Sequence, residues 1–157
     1  MKTGSFIVSF LVVLMMTGCP TSHTPYCYSV INNSKYPVVR GIMYSSGYDT
    51  MFNYKPAENF IKPKTSRMIC DRYRLEDLIE RSTYKRCSFF FFHSDTLKKY
   101  PLEILQRDYK ILQRYDLSSQ DILKLYDGKK GSTYPQIPYP PDERMKDMKM
   151  WPPYGSE

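Results

Sequence analysis

Runs of apolar, aromatic and β-branched positions separated by turn residues lay out strands along most of this chain. Residues 26–32 are rich in tyrosine and β-branched side chains and close on Asn33-Ser34-Lys35, a strand followed by a turn. Residues 38–44 give a second strand, broken by Ser45-Ser46-Gly47-Tyr48. Further strands are expected at 50–54 and 66–70, with Pro63 marking the turn between them. The strongest signal is residues 87–93, where Phe89, Phe90, Phe91 and Phe92 follow one another. Alternation puts two of these rings on each face of a strand, so both faces must be covered and the strand must lie between packed layers. At about 2 kcal/mol for each buried ring, this strand is the expected centre of the core.

The helical signals are short. Leu75, Leu78 and Ile79 fall at i, i+3 and i+4, which predicts about two turns over 75–81 with one buried face. Pro101 suits the first turn of a helix over 101–107, where its missing N–H is not needed. Ser118 and Asp121 form a capping box ahead of 122–126, which stops at Asp127-Gly128. Between these helices, 109–115 alternates imperfectly and gives one more strand. His93 ends the phenylalanine strand and is read as a strand-end residue, since no second histidine or acidic cluster accompanies it at metal-ligand spacing. The fold class is mainly β with short connecting helices, a small antiparallel β-sandwich-like single domain over 26–133.

Composition divides the two ends of the chain from this domain. Pro135, Pro138, Pro140, Pro141, Pro152 and Pro153, half of the chain's 12 prolines, crowd into residues 134–157. That density predicts an extended, disordered tail, serving as a spacer or as a docking peptide for an aromatic-lined groove. At the other end, Lys2 is followed by an apolar run over residues 6–16, shorter than the roughly 20 residues a spanning helix needs. Residues 20–25 lack periodicity and read as a tether that holds an exposed His23.

Charge and cysteine content narrow the options. The formal charge is +7, yet the cations are interleaved with acids, as in Asp71-Arg72-Tyr73-Arg74-Leu75-Glu76-Asp77, and no run is dense enough to act as a nucleic-acid footprint. Apart from Cys19, the cysteines are Cys27, Cys70 and Cys87, whose spacing matches no zinc or C-x-x-C pattern. They are read as three buried, reduced residues, with a pairing that involves Cys27 or Cys70 as the alternative.

Candidate chemistry is sparse. Met145, Met148 and Met150 invite comparison with thioether copper(I) sites, but Lys146 and Lys149 intervene and no His or Cys lies nearby, so no metal or cofactor is expected. His93-Ser94-Asp95 are sequence neighbours rather than a triad assembled from separate positions, and no G-x-S-x-G elbow occurs. Glu76-Asp77 are read as a solvated helix face. No catalytic residue is assigned. Aromatic residues make up 15% of the chain, and Tyr44, Tyr48 and Tyr54 fall at loops and strand ends where a ring could stack on a sugar or contact a protein.

Two resemblances add location. Met16-Thr17-Gly18-Cys19, placed after the charged and apolar segments, resembles the cleavage box of bacterial prolipoproteins, with Met16 where leucine is commoner. This implies a signal peptide over 1–18, a tether over 19–25 and lipidation of Cys19, whose acyl chains (palmitate among them) would make the membrane a partner. The blocks Asp95-Thr96-Leu97, residues 100–104, residues 111–117, residues 121–123 and Thr133-Tyr134-Pro135 are similar to small lipoproteins of Bacteroides-type bacteria. That family has no settled activity, so it carries over no functional residue beyond Cys19. The expectation is a non-enzymatic, lipid-anchored module of the cell envelope, at the outer membrane, that binds a protein or glycan and no nucleic acid. The alternatives are a structural envelope component with a spacer tail, or a small hydrolase. The tether lacks the acidic residues of many surface-exported lipoproteins, which favours the periplasmic face.

Overall fold

The computed structural model describes residues 25–44, 59–126 and 133–156. Cys19, the leader and tether, Tyr48, Tyr54 and the strand expected at 50–54 lie outside these residues. Among the described residues, eight strands form two sheets, with four short helices in the connections. The strands are β1 (Tyr26–Asn32), β2 (Val38–Tyr44), β3 (Phe60–Ile61), β4 (Thr65–Asp71), β5 (Cys87–His93), β6 (Gln113–Leu117), β7 (Gln136–Tyr139) and β8 (Met150–Trp151). The helices are α1 (Leu75–Arg81), α2 (Ser94–Lys99), α3 (Leu102–Arg107) and α4 (Ser119–Lys124). Among the described residues no helix is long and apolar enough to cross a membrane.

One sheet has the order β4-β1-β7, the other β3-β2-β5-β6-β8. Residues of both sheets share one hydrophobic cluster, which includes Tyr28, Val30, Ile137 and Tyr139 from the first and Val38, Phe89, Phe91, Tyr115 and Leu117 from the second. Ring contacts join the layers: Tyr139 stacks on Phe91 at 4.9 Å between centroids, and Tyr28 meets Phe89 edge-on at 5.9 Å. The fully buried Tyr115 hydroxyl crosses the same gap to donate to the Pro138 carbonyl at 2.9 Å. Such a bond removes the desolvation cost of burying a phenol.

β5 runs between β2 and β6, antiparallel to both. All four of its phenylalanines are at most 1% exposed. Phe89 and Phe91 belong to the inter-sheet cluster, while Phe90 and Phe92 point to the opposite face, where Val39 and Leu105 are also buried and the Arg114 guanidinium lies over the Phe90 ring. The requirement that both faces of this strand be covered is met.

Three expectations are corrected. The segment beyond Tyr134 is folded rather than an extended tail: β7 pairs with β1, Met145 lies in a short 3₁₀ turn, Glu143–Met145, and β8 pairs with β6. Ile137, Tyr139, Met145 and Met148 supply the apolar burial that holds it. Pro138 is compatible with β7 because the strand is an edge, and an edge residue need not donate on its outer side. The burial of Met145 and Met148 also makes them core residues. Second, the sheets are not wholly antiparallel, since β1 and β7 run parallel after the long excursion through the second sheet. Third, Cys27 and Cys70 are disulfide-bonded, leaving Cys87 as a free, buried thiol. The register explains the pairing, because Cys27 and Cys70 stand directly opposite each other on β1 and β4.

Candidate functional site

The first turn of α1 begins the site. Arg74, the residue before the helix, has extended backbone with φ −63° and ψ 145°, and Glu76 follows two residues later in the first turn. An Nη of Arg74 donates to Glu76 Oε1 at 3.2 Å. Tyr126, which follows α4, donates its hydroxyl to the same oxygen at 2.6 Å. Its position is fixed against the start of β7, where the Gln136 N–H donates to the Leu125 carbonyl and Tyr126 bridges Pro135. α1 and α4 are further joined by a hydrogen bond from the Ser119 hydroxyl to Glu80 Oε1.

These three groups line a cleft of about 560 Å³ together with Tyr26, Met68 and Tyr134, a volume within the usual range for small-ligand sites. Exposure is graded across it. The Glu76 side chain is 10% exposed and that of Arg74 is 46% exposed. Tyr26 and Met68, at 51% and 52%, form an open apolar rim. The Cys27–Cys70 disulfide ties β1 to β4 next to this rim, which holds Tyr26 and Met68 on joined strands.

The electrostatics are those of a neutralised pair. Arg74 is held above its usual pKa by its hydrogen bond to Tyr126 and by the charge of Glu76. The Tyr126 phenol is also raised, first by burial and then by its bond to Glu76, so it stays protonated and donating. The arrangement offers a carboxylate with one oxygen doubly served, a guanidinium in partial contact with solvent, and aromatic surface. Among the described residues no cluster of three His, Cys, Asp or Glu side chains is placed to hold a metal ion.

A second cleft, of about 650 Å³, lies between the start of β6 and the folded C-terminal segment, lined by Gln113, Tyr139, Pro152 and Tyr154 among others. Its buried amide is spent internally, since Gln113 Nε2 donates to the Pro152 carbonyl at 2.8 Å. Among the described residues no charged side chain lines it. The first cleft therefore carries the more varied chemistry.

The residues singled out from sequence fall elsewhere. Tyr44 packs partly buried against the core, and its phenol is raised far above the usual range, first by burial. It is no exposed stacking ring. His93 caps α2, its Nδ1 accepting from the Asp95 N–H at 3.2 Å, and its ring leans on Tyr36. The reading of Glu76-Asp77 as a solvated pair is half overturned, because Asp77 is exposed while Glu76 is 8% exposed and faces the cleft. Periodicity places Glu76 beside buried Leu75 and Ile79 on α1, but it carries no information about Tyr126, which arrives from 50 residues away. Comparison with protein-family models, with curated proteins and with solved structures finds no match to this chain.

Proposed function

We propose that the protein is a lipid-anchored module of the cell envelope, held through Cys19 at the outer membrane, that binds a protein or glycan partner in the cleft around Glu76 without chemical turnover. The observation that carries this reading is the cleft, where half-exposed aromatic and thioether surface surrounds a buried, partly satisfied carboxylate. Binding sites combine apolar area with a few fixed polar groups in this way. A Cys27–Cys70 disulfide is consistent with an exported, oxidising compartment. Pro25 lies at the cleft and is six residues from Cys19, which spans at most about 20 Å of extended chain. An anchored Cys19 would thus keep the cleft close to the membrane surface. A spacer tail is disfavoured by β7 and β8, which pair into the two sheets.

The test is recovery of envelope partners with lipidated full-length protein. Specific capture that Glu76→Ala and Tyr26→Ala both abolish supports the reading, and capture indifferent to both sinks it. For the anchor, Cys19→Ala should give unprocessed precursor or release soluble protein, whereas unchanged processing and membrane retention would overturn it.

A further inference from the structure

Glu76 presents a specific chemical demand. Its Oε1 accepts from Tyr126 and Arg74, while its Oε2 has no donor among the described residues. The residue is only 8% exposed, and it lines the cleft. A buried carboxylate oxygen without a donor is costly, so a ligand that brings a hydroxyl or amine there gains a charge-assisted hydrogen bond. Charge decides between those two donors. Arg74 already offsets Glu76 at 3.2 Å, so a second cation would meet its repulsion, and an acidic ligand would meet that of Glu76. A neutral hydroxyl meets neither.

The surroundings specify what carries the hydroxyl. Tyr26, 51% exposed, and Met68, 52% exposed, both line the cleft, as do Tyr126 and Tyr134. Flat aromatic surface next to a hydroxyl-seeking carboxylate suits a ring with one apolar C–H face and hydroxyls around its edge.

We propose that the cleft binds a neutral saccharide, with a ring hydroxyl donating to Glu76 Oε2 and the apolar face of the sugar lying on Tyr26. Arg74 sets the specificity by balancing the carboxylate, and Tyr126 holds the accepting geometry as a positioning residue. This rests on the reading of the cleft as the binding site and narrows its ligand.

The test is calorimetric titration of full-length protein in detergent with cellopentaose, maltopentaose and chitopentaose as neutral probes and pentagalacturonate as the acidic one. At least one neutral probe should bind, and the acidic one should bind at least tenfold more weakly. Glu76→Gln should weaken the neutral complex about tenfold, with an unchanged melting temperature showing that the fold is kept. Tyr26→Ala, at an exposed rim position where folding is not at risk, should weaken it by a similar factor. Tyr84→Ala, at a 65% exposed tyrosine that does not line the cleft, should leave it unchanged. Preference for the acidic probe, or neutral binding that survives both Glu76→Gln and Tyr26→Ala, overturns the proposal. Absence of binding to every probe also overturns it. If envelope capture of a partner still depends on Glu76 in that case, the binding-module reading stands while the saccharide falls. If capture fails as well, both fall.

Discussion

β4 and β5 are strands of equal length, seven residues each, held by opposite means. β5 lies between two neighbours and is buried along nearly its whole length, so its stability comes from four aromatic side chains removed from water on two faces. Among the described residues β4 is an edge strand that pairs with β1 alone in its sheet, and its residues are exposed except for partly buried Ile69. With so little apolar burial, its attachment depends on the backbone ladder to β1 and on the covalent Cys27–Cys70 link. Neighbours within a sheet, more than strand propensity, decide whether a strand is held by packing or by cross-linking. The difference also has a functional side: an exposed strand can lend Met68 to the rim of a cleft, which a strand buried on both faces could not.

Breaking β5 should have the largest effect. Phe91 contacts both Tyr115 and Tyr139, so Phe91→Ala should cost about 3–5 kcal/mol in denaturant melts, and Phe90→Ala a similar amount on the other face. A neutral result for either would show that its face is not sealed. Removing the cross-link with Cys27→Ser and Cys70→Ser together should cost about 2–4 kcal/mol, because it frees a loop with a sequence separation of 43 residues. Limited proteolysis should then cut first in β4, and unchanged protection would mean that the ladder alone holds the edge.

β1 pairs with β4 and packs the ring of Tyr28 on Phe89 of β5, and that residue makes the domain sensitive to alkali. Burial pushes its phenol from 10.0 up to about 12, with Arg40 opposing the rise. A folded-state pKa raised above the unfolded one means stability that is fully present below pH 10 and lost as pH climbs towards 12. The contribution at stake is about 2–3 kcal/mol. Tyr28→Phe should therefore flatten the decline between pH 10 and 12 in thermal melts, even though it takes a neutral partner from the buried Arg40 and lowers stability at pH 7. An equally steep decline in the variant would assign it to other buried phenols such as Tyr115. The smallest effect is expected at the surface of β4, where Met68→Ser should alter stability by no more than about 0.5 kcal/mol. A larger loss would reveal packing on a strand that is otherwise open to solvent.

Much of this architecture could be read locally. β1, β2, β4, β5, α1 and the helix after Pro101 fall where aromatic runs, periodicity and turn residues put them, because each signal is complete within seven or so residues. The capping box is present in both directions, with the Ser118 hydroxyl accepting from the Asp121 N–H and the Asp121 carboxylate accepting from the Ser118 N–H. β6 begins four residues later than expected, at Gln113, since its partner β5 rather than its own alternation sets where pairing starts. α2 was not foreseen. It starts at Ser94, directly after β5 ends, capped by His93.

The candidate site was far less legible. Its polar centre joins Arg74 and Glu76 to Tyr126 across 50 residues, and its rim adds Tyr26 and Met68 from two other strands. No local pattern reports such a meeting. Composition was misleading for the C-terminal segment, because proline density forbids helix and central strand but permits an edge strand, and Ile137 and Tyr139 found an open edge beside β1.

By itself, the sequence determined where the chain extends, turns and caps, and that the phenylalanine strand must be covered on both faces. These are properties of side-chain alternation and backbone sterics, acting over a few residues. Only the tertiary structure decided which cysteines face each other, that the proline-rich segment joins the first sheet parallel to β1, and that Glu76 lies buried with Arg74 and Tyr126 both donating to one of its oxygens. Each of these depends on register and on the meeting of distant segments, which are settled by burial across the whole domain.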